Sequence, residues 1–363
     1  MINQPHFMSK FHTLRIKNIK KETSDCVSIG FEVSAAEKAI FEFTQGQYLT
    51  LRTIIEGEEV RRSYSICSAV GEDLRVAIKK IDGGLFSTFA NDVLKNGDSI
   101  EVMPPMGRFF TNINPSQSKH YVGFAAGSGI TPIFSILKTV LQNEPSSRFT
   151  LFYGNKNAKS VIFREQIEGL KNQHLERLRV FHILSREFQE APIFNGRLSA
   201  EKCNEFCENL LDVKSIDEVF LCGPEEMILG VKDTFLEKGI DAKKIHFELF
   251  ITSGAKQKKE KIKSQDNDNQ TISNIIVKID GKLISFPLAQ NGANILDEAM
   301  EQGADLPYAC KGGVCCTCKC KLLEGDVHME INYGLEADEI EAGYILSCQA
   351  HPRSEKVMVD FDV

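Results

Sequence analysis

Three features are missing from the sequence: a long apolar run, an excess of basic charge and an internal repeat. A membrane-spanning helix needs about 18 consecutive apolar residues, and the N-terminal segment also lacks the apolar stretch of a secretory signal. The sequence therefore predicts a cytoplasmic protein that does not enter a membrane. Nucleic acid is not expected as a partner, because its binding requires a basic surface and the net charge is −7.

The composition is that of a globular protein with more than one domain. The chain has 363 residues, of which 42% are hydrophobic and 26% charged, enough for two or three domains with buried cores. The negative charge is concentrated at one end, since residues 272–363 carry 7 Lys and Arg against 15 Asp and Glu. This acidic block indicates a separate unit, whose surface either attracts a complementary partner or only aids solubility.

The pattern of apolar runs divides the chain into four segments. Over residues 1–112, short runs between glycine turns predict an antiparallel barrel. Over residues 113–251, strands and helices alternate, which is typical of a parallel sheet covered on both faces. Residues 252–271 are almost entirely polar and predict a flexible linker. The last segment, 272–363, opens with two strands joined by Asp280-Gly281, a hairpin signal.

Six of the eleven cysteines lie in the C-terminal segment. Without a secretory signal, such a cluster indicates a metal centre rather than disulfides. Four of them follow the plant-type spacing for a 2Fe–2S cluster, Cys-x4-Cys-x2-Cys and a distant fourth: Cys310, Cys315, Cys318 and Cys348. Cys316 and Cys320 do not fit as ligands. The alternatives are a zinc site, which usually has two Cys-x2–4-Cys pairs, and a metal-free set of core cysteines.

A second motif, Arg62-Ser63-Tyr64-Ser65, ends a predicted strand of the barrel. A guanidinium suits a phosphate, a phenol ring can stack on another ring, and a hydroxyl can hydrogen-bond a ring nitrogen. Arg62, Tyr64 and Ser65 are therefore a candidate flavin site. The alternative is a solvated strand edge whose tyrosine packs on a neighbour.

A third motif, Gly127-Ser128-Gly129-Ile130-Thr131-Pro132, follows the first strand of the second segment. Gly127 and Gly129 would let the backbone approach a phosphate, and Thr131 is expected to cap the helix that begins there, with Pro132 in its first turn. Proline replaces the third glycine of the Rossmann pattern, so the usual dinucleotide pose is not implied.

Residues 1–250 resemble the ferredoxin–NADP reductase superfamily, and residues 274–363 resemble plant-type ferredoxin domains. Besides the flavin and Gly-x-Gly-x-x-Pro motifs, the first resemblance is carried by Gly83-Gly84-Leu85-Phe86-Ser87, Cys222-Gly223-Pro224 and Glu248-Leu249-Phe250. The second is carried by the sequences that flank the cysteines, Leu306–Cys310 and Leu346–Ala350. The fold class implied is β plus α/β plus α+β: an antiparallel flavin-binding barrel, a parallel-sheet NAD(P)-binding domain and a β-grasp-like ferredoxin domain.

The resemblance implies a role for each matching residue. The flavin is expected to be FAD rather than FMN, with Arg62 at its phosphate and Tyr64 and Ser65 at the isoalloxazine. Phe250 is expected to cover the ring. The pyrophosphate is expected at the start of a helix, formed by Gly84, Leu85, Phe86 and Ser87. Those expected at the nicotinamide are Cys222 and Glu248 as catalytic residues, beside Gly223 and Pro224. Cys222 and Phe250 have ordinary core positions as their alternative.

The cofactor preference is predicted from Ser185-Arg186, which follows a strand where an adenosine ribose would lie. An arginine there suits a 2′-phosphate, whereas an acidic residue would suit a free 2′-hydroxyl. The neighbouring Glu187 speaks against this assignment. NADPH is therefore the expected electron donor, with NADH as the alternative.

The expected function is electron transfer from NAD(P)H through the flavin and the cluster to a protein acceptor. The domain order is that of phthalate dioxygenase reductase-like proteins, and the cysteine loop and residues 246–250 look most like the reductase subunits of phenylacetyl-CoA epoxidases. This implies a di-iron oxygenase component as acceptor. Reductases of steroid 9α-hydroxylases, hybrid-cluster proteins and desaturases share much of the pattern. A redox-sensing module and a zinc-stapled binding protein are the alternatives from other functional classes.

Overall fold

A computed structural model describes residues 10–250 and 271–363 of the chain. The expected linker, 252–271, lies outside the described residues except for Thr271. In the part of the chain that is described, no helix has the length and apolar character needed to cross a membrane. The described residues form an antiparallel barrel, a parallel sheet with helices and a mixed C-terminal sheet.

The first domain is a six-stranded antiparallel sheet with the order β4-β3-β6-β1-β2-β5. A bridge between Ile66 and Val76 joins its two edges, so that the sheet closes into a barrel. Leu49 and Leu51, two residues apart on one strand, are both fully buried in the barrel core, as the period of a strand requires. The elements are β1 (His12–Thr23), β2 (Cys26–Glu32), β3 (Tyr48–Ile55), β4 (Glu58–Ser65), β5 (Arg75–Lys79), α1 (Leu85–Asp92) and β6 (Ser99–Val102).

The second domain is a parallel sheet with the order β11-β10-β7-β8-β9 and buried faces on both sides. Its central strand β7 is buried along almost its whole length, as expected for a strand with helices on both faces. The elements are β7 (His120–Ala126), α2 (Ile130–Asn143), β8 (Arg148–Asn155), α3 (Arg164–Gln173), β9 (Leu178–Leu184), α4 (Ala200–Asn209), β10 (Glu218–Gly223), α5 (Glu225–Glu237) and β11 (Ile245–Leu249).

The third domain is a mixed sheet with the order β13-β12-β18-β14-β16 and a separate ribbon, β15 and β17. The predicted hairpin is confirmed, since Asp280 and Gly281 both have positive φ between two paired strands. The elements are β12 (Ile272–Ile279), β13 (Lys282–Ala289), α6 (Ile295–Glu301), β14 (Lys319–Glu324), β15 (Val327–Met329), α7 (Ala337–Glu341), β16 (Tyr344–Leu346), β17 (Ala350–Pro352) and β18 (Lys356–Asp360).

One local prediction is wrong: Thr131 does not cap helix α2. A short 3₁₀ turn over Gly127–Gly129 leads directly into the helix, which begins at Ile130. Thr131 therefore lies inside the first turn, where its buried hydroxyl donates to the carbonyl of Ser128 at 3.0 Å. Pro132 does lie in the first turn of the helix, as predicted.

Candidate functional site

The four predicted ligand cysteines converge as two pairs. The Sγ atoms of Cys310 and Cys315 lie 3.1 Å apart, and the thiol of Cys318 is hydrogen-bonded to that of Cys348. The pairing of β14 with β16 brings the distant Cys348 back to the loop. Within the described residues, no three His, Cys, Asp or Glu side chains gather as they would around a single ion. Two thiol pairs are instead the donor set that a cluster of two irons takes.

The loop around these thiols supplies backbone N–H groups. Gly312 N–H donates to Cys310 Sγ at 3.3 Å. The thiol of Cys315, followed by the N–H groups of the loop, lowers the pKa of Cys310 to about 6. Gly313 has φ of +72°, and a Cβ there would lie 2.6 Å from the carbonyl oxygen of Ile331. The loop thus favours a thiolate at Cys310, the form in which cysteine binds metal, whereas the partner thiols and burial raise the pKa of Cys315 and Cys318. The N–H groups and the close-packed glycine fit a 2Fe–2S cluster.

The two remaining cysteines of this segment lie outside the two pairs. Cys320 is 1% exposed and belongs to the hydrophobic core of the third domain. Cys316 lies against the barrel, with its Sγ 3.2 Å from the hydroxyl of Tyr48. Both positions agree with their exclusion as ligands on spacing.

The candidate flavin residues lie on β4. The Arg62 guanidinium donates to the carbonyl of Arg61 at 2.7 Å, and no carboxylate of the described residues forms an ion pair with it. Tyr64 packs on Phe86, with ring centroids 5.5 Å apart. A half-buried guanidinium without a carboxylate partner is suited to a phosphate, so these residues fit the phosphate and the ring of a flavin.

The start of helix α1 offers backbone groups rather than side chains. Ser87 Oγ accepts from Ile81 N–H and donates to the carbonyl of Gly84. A Cβ on Gly84 would lie 2.5 Å from Ser87 Oγ. Phe86 is buried in the barrel core, and Leu85 is exposed. The helix has no side-chain cap, so its first N–H groups are available to an anion such as a pyrophosphate.

The candidate catalytic residues join the first two domains. Ser65 Oγ, at the end of β4, donates to Glu248 Oε2 on β11 at 2.9 Å. Cys222 on β10 is the register partner of Glu248 and is fully buried. Burial raises the pKa of Glu248 to about 7, although the hydrogen bond from Ser65 opposes this. Burial also raises the pKa of Cys222 well above its usual value, so its thiol stays neutral.

Three further predicted residues surround this point. Phe250 follows β11 and packs on a cluster that contains side chains of both the barrel and the nucleotide domain. Gly223 ends β10, and Pro224 is the N-cap residue of α5. The contacts of Phe250 agree with a position at the domain border, where the flavin residues also lie.

Glycine is needed at the two positions of the nucleotide turn for different physical reasons. Gly127 has φ of +55°, and a Cβ there would meet only Lys79 Nζ at 3.9 Å. A Cβ on Gly129 would lie 2.1 Å from the carbonyl oxygen of Cys222. Gly127 therefore leaves room for a ligand, whereas Gly129 permits the close contact between α2 and β10.

Ser185 and Arg186 line a separate open pocket of about 410 Å³ with Phe188, Pro192 and Asn195. Glu187 also lines this pocket, but its Oε2 accepts from the N–H of Ala158 at 2.8 Å. No acidic side chain of the described residues forms an ion pair with Arg186. One oxygen of Glu187 is therefore engaged with backbone, while the carboxylate still lines the pocket beside Arg186.

Comparison with known proteins agrees with the three-domain organisation. Family models match residues 13–111 (oxidoreductase FAD-binding domain), 124–233 (oxidoreductase NAD-binding domain) and 277–353 (2Fe-2S iron-sulfur cluster binding domain). The chain is 42% identical to a subunit of the 1,2-phenylacetyl-CoA epoxidase of Escherichia coli, over 98% of this chain and 99% of that protein. The chain belongs to the ferredoxin-reductase-type oxidoreductases that carry a 2Fe–2S domain.

A second relative supports this assignment, and a solved structure shares the fold. The ferredoxin reductase component of the 3-ketosteroid-9-alpha-monooxygenase of Rhodococcus rhodochrous is 32% identical over 99% of each chain. The crystal structure of phthalate dioxygenase reductase has the same fold, with a TM-score of 0.59 and 22% identity over 97% of this chain and 98% of that one. This reductase is thus an NAD(P)H oxidoreductase that uses FAD and a 2Fe–2S cluster, as predicted.

Sequence reasoning missed the residues through which the reductase joins its barrel to the cysteine loop. Tyr48 lies beneath Cys316 and Thr317, and buried Arg61 reaches the carbonyl of Leu306 at 3.3 Å. Tyr48 belongs to the Gly-Gln-Tyr sequence that precedes the flavin motif, but its partners are 268 and 269 residues away. Nothing in the local sequence indicates such a contact.

Proposed function

We propose that this reductase takes electrons from NADPH and delivers them, one at a time, to the di-iron oxygenase component of a phenylacetyl-CoA epoxidase. The 42% identity to the E. coli epoxidase subunit over nearly the full length of both chains supports the choice of acceptor. The acidic surface of residues 272–363 provides a charge that a basic docking face would complement. We also propose the domain limits: residues 1–112 for the FAD-binding barrel, 113–251 for the NAD(P)H-binding domain and 272–363 for the 2Fe–2S domain.

One observation supports this function above the others: Tyr48 and Ser65 are directly opposite each other on β3 and β4. Opposed residues of an antiparallel pair point to the same face of the sheet. Ser65 contacts Glu248 of the nucleotide domain, while Tyr48 contacts the cysteine loop of the third domain. The paired strands β3 and β4, of which β4 bears the candidate flavin residues, therefore meet both the electron donor's domain and the electron acceptor's domain.

The proposed roles follow from the contacts. Arg62, Tyr64, Ser65, Phe250 and the start of α1 would hold FAD; Gly127, Gly223 and Pro224 would border the nucleotide, with Gly129 and Thr131 shaping the turn. Bound FAD accepts electrons in pairs from NAD(P)H and passes them on singly to the cluster, which takes one at a time. Glu248 and Cys222 would orient the nicotinamide, and the two thiol pairs would hold the cluster.

The acceptor is tested by reconstitution. The purified chain, the oxygenase component of the E. coli phenylacetyl-CoA epoxidase, phenylacetyl-CoA and dioxygen should consume NADPH in proportion to the epoxide formed, with the second oxygen atom released as water. The oxygenase component of the R. rhodochrous steroid monooxygenase with a 3-ketosteroid is the control and should give little coupled turnover. Equal coupling to both, or coupling only to the steroid enzyme, would contradict the proposed acceptor while leaving the electron-transfer function intact.

The nucleotide preference is tested at Arg186. Replacing Arg186 with alanine removes the cation proposed to bind the 2′-phosphate, which NADH lacks. We expect kcat/KM for NADPH to fall about tenfold, the equivalent of about 1.4 kcal/mol from one charge-assisted hydrogen bond, with less than about a twofold change for NADH. Arg179→Ala, at the other end of β9 and outside the pocket, is the matched control. Equal losses of kcat/KM for both nucleotides would show that Arg186 does not bind the 2′-phosphate.

A further inference from the structure

The cysteine loop rests on a buried polar contact with the barrel. Tyr48 is 5% exposed, and its hydroxyl accepts from the backbone N–H of Cys316 at 3.2 Å. The same hydroxyl lies 3.2 Å from Thr317 Oγ1. The Tyr48 ring packs on Ala309 and Cys315. One barrel side chain thus contacts both the backbone and the side chains of the loop that carries three of the four candidate cluster ligands.

A second barrel residue holds the segment just before this loop. Arg61, 5% exposed, donates to the carbonyl of Leu306 at 3.3 Å. Its guanidinium lies over the ring of Tyr308, 4.3 Å from the centroid, close enough for a cation–π interaction. Its ionic partners are Glu59 on the barrel at 2.7 Å and Asp305 at 3.4 Å, and it also lies 5.1 Å from the ring centroid of Phe11. Arg61 therefore links the barrel to the segment before the loop, whereas its neighbour Arg62 contacts only the Arg61 carbonyl among the hydrogen bonds of the described residues.

The other polar contacts of the third domain with the first two are weaker or more exposed. Thr50 Oγ1 lies 3.5 Å from Thr317 Oγ1 in buried surroundings. Arg108, 46% exposed, pairs with exposed Asp338 at 3.2 Å and with buried Glu339 at 3.5 Å. The hydroxyl of Tyr333 donates to Glu225 of the nucleotide domain at 3.2 Å. Exposed pairs of this kind contribute little to an interface, whereas loss of one partner of a buried hydrogen bond leaves the other unsatisfied. Tyr48 and Arg61 thus supply most of the buried polar contacts to the loop and to the segment before it, beside Thr50 and the apolar contact of Val314 with the core of the nucleotide domain.

We propose that Tyr48 and Arg61 form a seat on the barrel that fixes the position of the cluster loop relative to the flavin site. They are positioning residues for the transfer of electrons between the two cofactors, because the rate of such transfer falls steeply with distance. No bond forms or breaks at the seat, and the electrons are those that NAD(P)H already supplies. This inference rests on the proposed ligand residues, since it assumes that Cys310, Cys315 and Cys318 hold the cluster.

Tyr48→Phe tests the seat from the barrel, because it keeps the ring and removes only the hydroxyl. Tyr308→Leu tests it from the third domain, where it removes the ring that both Arg61 and Lys311 contact. Lys311→Gln, which removes the second contact and not the first, is its control. Hydrogen exchange measured by mass spectrometry should show faster exchange of the peptide over 310–318 in either variant, by about tenfold, as the loss of one or two buried contacts predicts. Tyr333→Phe and Asp338→Asn, which alter only exposed contacts, are the matched controls and should leave this exchange within about twofold of the unchanged chain.

Stopped-flow spectroscopy supplies the second measurement. In the double variant Tyr48→Phe/Tyr308→Leu, reduction of the cluster by NADPH should slow by about tenfold or more, because the seated state is less populated. Reduction of the flavin and of ferricyanide should stay within about twofold. Unchanged hydrogen exchange would contradict the proposal that Tyr48 and Arg61 position the loop. Faster hydrogen exchange with an unchanged rate of cluster reduction would contradict it as well. A parallel loss of flavin reduction would show that the two residues only stabilise the fold.

The same experiment separates failure of the seat from failure of the proposed function. If NADPH does not reduce a cluster in the unchanged chain, the proposed electron path is wrong whatever the variants do. If the unchanged chain reduces its cluster and the variants behave identically in both measurements, only the seat is wrong. Iron and flavin contents determined for each variant ensure that the rates refer to loaded protein.

Discussion

Replacing Cys310 or Cys318 with serine should abolish the reduction of cytochrome c by NADPH while leaving the reduction of ferricyanide nearly unchanged. Each variant removes one thiol from a different pair, 310 with 315 or 318 with 348, and a hydroxyl is a poor ligand for iron held by thiolates. We expect at least about a 100-fold loss of one-electron output, because even changes outside the ligand shell of a metal site cost 10- to 100-fold. Ferricyanide takes electrons directly from a reduced flavin, so it reports the intact first half of the path.

The controls for this prediction are the two cysteines that lie outside the pairs. Cys320→Ala removes a buried thiol from the core of the third domain, and Cys316→Ser changes a thiol that faces Tyr48. Both variants should retain the iron, measured by metal analysis, and the visible spectrum of the cluster. Loss of the cluster from Cys316→Ser, with retention in Cys315→Ser, would show that the ligand set is wrongly assigned.

Replacing Glu248 with glutamine should slow the reduction of ferricyanide by NADPH about 100-fold at neutral pH. Hydride loss leaves a positive charge on the nicotinamide ring, and a buried carboxylate beside that ring would stabilise the charge as it develops. The loss of one such electrostatic contact typically costs a factor of 100 to 1,000 in rate. Stopped-flow measurement with saturating NADPH distinguishes this loss of rate from weaker binding.

The pH dependence gives a sharper test of Glu248. Burial disfavours the charged form and raises the pKa to about 7, so the carboxyl is neutral below that pH and ionised above it. The rate of hydride transfer should therefore rise between about pH 6 and pH 8, and this rise should be absent in Glu248→Gln. Ser65→Ala removes the hydrogen bond that lowers the pKa and should move the midpoint to higher pH. A flat profile in the unchanged chain would exclude a role for the ionised carboxylate.

Local sequence was sufficient wherever a structure depends on neighbouring residues. Strand β3, Tyr48–Ile55, depends on such a local signal, because its alternating apolar residues are bounded by Gly46 and Gly57. The hairpin at Asp280-Gly281 was predicted because only a few residue pairs adopt positive φ easily. The helix cap at Thr131 was wrong, because the 3₁₀ turn over Gly127–Gly129 continues into the helix and leaves no extended residue at that position.

Contacts between distant segments could not be predicted in the same way. Ser65 and Glu248 are 183 residues apart and meet because β4 and β11 end at the same domain border. The difference between Arg61 and Arg62 is also invisible in the sequence: Arg61 is buried against the third domain, and Arg62 lies where a phosphate can reach it. Family resemblance supplied the role of Ser65 and Glu248, but not the contact between their side chains.

The sequence by itself determined the cofactor classes and the three kinds of fold, and it predicts the four cluster ligands, because cysteine spacing and apolar periodicity are local and act through covalent geometry. Only the tertiary structure decided that the thiols form two pairs, that Glu187 is engaged with the backbone of Ala158, and that Tyr48 and Arg61 carry the cysteine loop. These contacts depend on how separate domains pack. Packing is a property of surfaces assembled from segments that lie far apart in the chain.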